Sequence, residues 1–88
     1  MRDGVQEKIL AELFVPAVEK RYEIRIPLDL RVHELSLLLS KMLEEMEHGS
    51  YISDGTAVLC DRQSGSIYSG AVTPREIGWE NGKQLLLL

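Results

Sequence analysis

The stretch YEIRIPLDLRVHELSLLLSKMLEEME, residues 22–47, decides the fold. Its opening alternates: Tyr22, Ile24 and Ile26 share one side of an extended chain, Glu23 and Arg25 the other, and Pro27 stops it. A period of two with one apolar side marks a strand with one buried and one wet face. After Pro27 the period changes. Val32 to Glu47 contains no Gly or Pro and is rich in Leu, Glu, Lys and Met, all good helix formers. Val32, Leu35, Leu39, Met42 and Met46 recur at spacings of three and four, with Leu38 and Leu43 widening the stripe. Glu34 suits the positive end of the helix dipole, Glu44, Glu45 and Glu47 oppose its negative end, and Gly49 can close the last turn. A strand leading into one amphipathic helix needs that helix laid across a single sheet face.

Upstream, Lys8 to Val15 reads as a partner strand, with Ile9, Ala11, Leu13 and Val15 on one face and Leu10, Glu12 and Phe14 on the other. Pro16 to Lys20 is short enough for a hairpin loop. Residues 1–7 are polar, contain Gly4 and read as a loose lead-in, so the domain spans 8–88. Downstream, Asp54-Gly55 signals a turn, Ala57 to Cys60 a third strand, Asp61 to Gly65 a tight turn, and Ser66 to Tyr68 a short returning strand. Thr73-Pro74-Arg75-Glu76 is a helix-start signature with a hydroxyl cap, Pro at the first position and Glu to complete a capping box. Gln84 to Leu88 is an apolar last strand, best placed centrally and paired parallel with the first. This order predicts an α+β domain, a β-grasp: a mixed sheet with one long helix packed across one face.

The 88 residues suffice for one core and are too few for two. A net charge of -4 argues against nucleic acid, whose phosphates need cations. The lone Cys60 forbids an internal disulfide and reads as a small buried hydrophobe. The N-terminus lacks the apolar core of a secretory signal, and no run approaches the ~20 apolar residues that span a bilayer, so the expectation is a cytoplasmic protein without membrane insertion. His33 and His48 have no ligand-spaced neighbours, and no phosphate-binding glycine loop is present. The residues therefore predict neither catalysis nor a metal or cofactor.

In element order and spacing the chain resembles ubiquitin from Ile9 to Leu88. The interval from Ile26 to Val32 matches, as does Thr73 through Ile77, Trp79 and Asn81-Gly82 into Leu85 and Leu87. It is more similar still to the YukD/EsaB group of small bacterial ubiquitin-like proteins. The likeness lies in the helix entry from Ile26-Pro27-Leu28-Asp29 to Leu35, in Val58 to Gly65, and in Thr73 to Leu85; Pro74 and the longer acidic helix end depart from that pattern. The resemblance implies a cytoplasmic accessory or regulatory protein of type VII (ESX-like) secretion in Gram-positive bacteria, associated with membrane components of the machine. A generic ubiquitin-like adaptor outside secretion is the alternative. Ubiquitin's activated carboxylate needs a slim diglycine tail; Gln84 to Leu88 offers none, so a modifier or sulfur carrier is expected only if the native chain extends further.

Function is thus expected at a surface. If Val58, Leu85 and Leu87 point inward, alternation turns Leu59, Leu86 and Leu88 outward together. The resemblance places these three where ubiquitin carries its apolar recognition patch, a site for a protein partner or for self-association. Leu37 lies off the helical stripe, and two roles stand open for it: burial under a loop, or docking. Trp79 is expected in the core rather than as a partner's anchor.

Overall fold

The computed structural model describes residues 7–88. Two strands, β1 (Lys8–Val15) and β2 (Lys20–Pro27), form an antiparallel hairpin with Ile9 opposite Ile26 and Leu13 opposite Tyr22. The helix α1 (Val32–Met46) follows, then β3 (Leu59–Asp61) and β4 (Lys83–Leu87). The sheet order is β2-β1-β4-β3, and β4 runs parallel to β1, with Leu13 level with Leu85. The most apolar strand thus has neighbours on both edges. This is the β-grasp arrangement. Of the lead-in read at residues 1–7, all but Glu7 lies outside the described residues; the Glu7 carbonyl accepts the Leu28 N–H at 3.0 Å and prolongs the hairpin.

The core joins the inward sides of the strands to one side of the helix. Leu13, Val15, Leu43 and Leu85 are fully closed to solvent, and Ile26, Val32, Leu35, Leu39, Leu59 and Leu87 are buried with them. Each buried Leu or Ile contributes about 1.5–3 kcal/mol over an exposed one. Trp79 is 6% exposed and meets the Tyr68 ring edge-on at 5.0 Å, which makes it a core residue. Two buried polar side chains share the helix's inner side. Ser36 Oγ donates to the His33 carbonyl at 2.8 Å, and Ser40 Oγ to the Leu37 carbonyl at 3.0 Å, so neither is left unpaired. The helical stripe is narrower than its sequence predicts: Leu38 is 56% and Met46 49% exposed, because the sheet is reached only by the side centred on Val32, Leu35, Leu39 and Leu43.

Both helix ends are closed by the chain itself. The Val32 and His33 N–H groups donate to the Val72 and Gly70 carbonyls at 2.8 and 3.1 Å, and Glu34 accepts the Arg31 N–H. The fit is tight at residue 70, where a Cβ would lie 3.0 Å from that of His33 and require it to shift by a few tenths of an ångström. At the other end His48 (φ 45°) and Gly49 (φ 94°) reverse the chain. The unfavourable acidic end finds partners: Glu47 pairs with Lys20 at 2.8 Å and accepts the Tyr22 hydroxyl, and Glu44 accepts the Ser53 N–H. Burial first, then Glu47, pushes the Tyr22 phenol up to about 12.

The capping box at residues 73–76 forms as expected. The Thr73 N–H donates to Glu76 Oε1 at 2.8 Å and the Glu76 N–H to Thr73 Oγ1 at 3.2 Å, although Gly78 (φ 75°) ends the turn at once. Arg75 then ties this turn to Asp29 at 2.7 Å and Glu7 at 2.6 Å.

At the other edge Asp61 is a small hub. It accepts from Lys83 Nζ at 2.9 Å, the Ser64 N–H at 2.8 Å and the Tyr68 hydroxyl at 3.1 Å. The Lys83 ammonium first, then the Ser64 N–H, hold its carboxyl well below the usual carboxylate range. A carboxyl depressed on folding stabilises the fold above its unfolded value, about 4, and loses that contribution as pH falls below it. Asp61→Asn is therefore expected to melt below wild type at neutral pH, with the difference in melting temperature closing as pH drops under about 4.

Candidate functional site

The sheet face turned away from α1 is set by strand alternation. β1 places Leu10, Glu12 and Phe14 on it, β2 places Arg21, Glu23 and Arg25, and β4 places Gln84 and Leu86. In β3 the register Leu59↔Leu87 and Cys60↔Leu86 turns Cys60 outward and Leu59 inward. The expected outward position of Leu59 is thus corrected: it is 1% exposed and belongs to the core. The reason lies in the approach to the strand: Ala57 to Cys60 is apolar at every position, so that only pairing with β4 fixes which side faces in.

Pairing across the strands brings Arg21, Phe14, Leu86, Cys60 and Ile67 into one row on this face, the last through the bridge Cys60↔Ile67. Beside it, Val58 and Leu88 exchange N–H···O bonds of 3.0 Å in both directions and so share the same side. Ile67 is 66% and Leu88 58% exposed, while Phe14, Val58 and Leu86 are half-buried. Cys60 is closed to solvent, and burial pushes its thiol up, away from the reactive thiolate.

One border of the row is charged. Arg62 crosses from the end of β3 to β1, where its guanidinium sits 5.0 Å from the Phe14 ring centroid and bonds Glu12 at 2.9 Å. Beyond it a shallow trough of about 390 Å³ is lined by Leu10, Glu12, Arg21, Glu23 and Gln84 among others, with no His, Cys, Ser or Thr in its walls. Among the described residues no group of three or more His, Cys, Asp or Glu could hold a metal ion, and no helix is long and apolar enough to cross a membrane.

Of the four residues the sequence singles out, the structure brings two together. Leu86 and Leu88 share the outer face. Leu59 lies beneath it, and Leu37 is half-buried on α1, which covers the opposite face of the sheet, so it cannot join the same patch. Three outer-face residues were missed. Phe14 was legible, since β1 alternation sets a large aromatic among wet-face positions. Val58, expected inward with Leu85 and Leu87, instead shares the outer side with Leu88, and Ile67 carried no local signal; both placements depend on pairing partners far along the chain.

No family model matches the sequence, and a search of curated proteins finds no match. Solved structures do share the architecture. The ubiquitin-like domain of the Mycobacterium tuberculosis type VII secretion system protein EccD1 superposes with a TM-score of 0.70 at 10% identity, covering 93% of this chain and 98% of that one. The ubiquitin-like domain of Plasmodium falciparum Dsk2 superposes with a TM-score of 0.69 at 16% identity, covering 92% and 96%. A chain of the MycP5-free ESX-5 inner membrane complex is similar over 92% of this chain and 20% of its own length, with a TM-score of 0.70 at 11% identity. At such identities the likeness speaks for architecture alone: the chain has the ubiquitin-like β-grasp fold.

Proposed function

We propose that this chain is a non-catalytic protein-interaction module that docks through the sheet face opposite its helix. The observation that carries the reading is the row Phe14, Leu86 and Ile67 with its neighbours Val58 and Leu88, an apolar surface on a domain whose core is already complete without it. Exposed aliphatics gathered in one place are disfavoured in water unless something covers them. The charged border made by Arg62 and Glu12 gives this patch the polar rim usual at protein interfaces.

The assembly we assign it to is a type VII (ESX-like) secretion system, with the chain as a cytoplasmic accessory or regulatory component. Two observations support this. The segments Ile26 to Leu35 and Thr73 to Leu85 resemble the YukD/EsaB group, and the fold superposes on an EccD1 ubiquitin-like domain and on a chain of an ESX-5 inner membrane complex. A ubiquitin-like adaptor outside secretion is the second reading, favoured by the equally good superposition on the Dsk2 domain. Affinity capture with the tagged chain from its native cells separates them. The secretion reading expects a membrane-embedded secretion ATPase complex to be recovered, and capture of ubiquitin-pathway or other unrelated partners alone sinks it.

A further inference from the structure

The strand β2 is one of the two edge strands of its sheet, and one hydrogen bond shows which groups its free edge offers. Leu28 N–H donates to the Glu7 carbonyl at 3.0 Å, in register with the β1–β2 ladder. Antiparallel pairs alternate between bonded and unbonded positions, so Tyr22, Ile24 and Ile26 turn their backbone groups to β1. Arg21, Glu23 and Arg25 turn theirs outward. β1 agrees with this phase: Leu10 directs its N–H to Asn81 Oδ1 at 2.8 Å and its carbonyl to the Gly82 N–H at 2.9 Å, away from β2. Among the described residues, no loop or turn backbone group bonds to Arg21, Glu23 or Arg25 on the open side. Pro27 falls in the outward phase as well, where its missing N–H breaks no bond to β1.

An eight-residue edge strand is long, and proteins usually guard such edges with charge. Here the exposed charges alternate in sign, Arg21, Glu23, Arg25, and among the described residues none of the three takes part in an ion pair. An alternating edge can meet a copy of itself in only some registers. Centred on Glu23, two antiparallel copies oppose Glu23 to Glu23 and Arg21 to Arg25, which is repulsive. Centred on Tyr22, Glu23 meets Arg21, but Arg25 meets Glu19, which has left the strand at φ 54°, and Ile24 meets Lys20, already held by Glu47. Centred on Ile24, Glu23 of each copy meets Arg25 of the other, twice, while Tyr22 meets Ile26 on the helix side. Glu23 and Arg25 then exchange backbone bonds in both directions, and the Arg21 N–H reaches the Pro27 carbonyl.

The geometry points to a second copy of this chain as the occupant of the β2 edge, antiparallel about a two-fold axis at Ile24, joining two four-stranded sheets into one. The apolar residues of the outer-face row lie on or beside β1, β4 and β3 and stay open, so this association is separate from partner docking. Sedimentation of the full chain from micromolar to millimolar concentration tests it. Wild type is expected to pass from monomer to dimer, and Glu23→Arg or Arg25→Glu to weaken the dimer about tenfold or more. The double variant Glu23→Arg/Arg25→Glu is expected to restore it. Both substitutions fall on exposed side chains, and unchanged melting curves at low concentration check that the monomer fold survives. A chain that stays monomeric at millimolar concentration overturns the proposal, as does a dimer indifferent to both single reversals. Rescue of Glu23→Arg by Arg21→Glu instead of Arg25→Glu also overturns it, since that places the axis at Tyr22.

Discussion

Leu59→Asp is expected to leave the chain without a cooperative folded state at room temperature. Leu59 is 1% exposed and lies opposite Leu87, also 1% exposed, on the core side of the sheet. Truncating a buried Leu costs about 2–5 kcal/mol in lost transfer energy and cavity. Forcing a carboxylate into the same place adds several kcal/mol more, or drives it to take up a proton. Total stability of a domain is only about 5–15 kcal/mol, and one this small sits toward the low end. The sum exceeds what the fold can absorb. Circular dichroism should lose its thermal transition and amide spectra their dispersion. Leu59→Ala, without the charge, is expected to fold with a loss of about 2–5 kcal/mol. A Leu59→Asp variant that melts like wild type would show that β3 is paired one residue out of register.

Leu88→Asp combined with Ile67→Asp is expected to do the reverse: keep the fold and lose the partner. Both side chains are more than half exposed, and the Leu88 backbone is held by its paired bonds to Val58 whatever side chain it carries. Surface substitutions of this kind stay within about 0.5 kcal/mol of wild type in stability. Binding is another matter. Interface energy concentrates in a few desolvated apolar side chains, each costing about 2 kcal/mol or more when removed, and a buried aspartate adds an unpaired charge. Affinity for the captured partner should therefore fall at least about tenfold, the equivalent of 1.4 kcal/mol, read by titration calorimetry beside an unchanged melting temperature. Leu38→Asp on α1 changes an equally exposed leucine on the opposite side of the molecule, and is expected to leave affinity as it was.

These two expectations divide where the sequence divides. The hairpin, the helix and the parallel pairing of β4 with β1 were legible because each element carries its own periodicity: alternation in Tyr22 to Ile26, a three-and-four stripe in Val32 to Leu43, and proline or glycine punctuation between them. The capping box at Thr73 and Glu76 was legible for the same reason, since both halves lie within one turn. β3 was not. Three residues long and apolar throughout its approach, it contains no phase of its own, and the pairing Leu59↔Leu87 that orients it joins residues far apart in the chain. The same blindness hid Val58 and Ile67 from the candidate patch. The outward positions of Leu86 and Leu88 followed from taking Leu85 and Leu87 as inward, whereas Leu37, left open between burial and docking, lies half-buried on α1 and so on the other face.

Docking of a partner on the outer sheet face should be visible in methyl spectra of the chain titrated with its captured partner. The methyl signals of Leu86, Leu88 and Ile67 are expected to shift or broaden together while those of Leu38 on α1 stay in place. Shifts confined to Leu38, Met42 and Met46, with the outer-face methyls unmoved, would contradict it and assign docking to the helix.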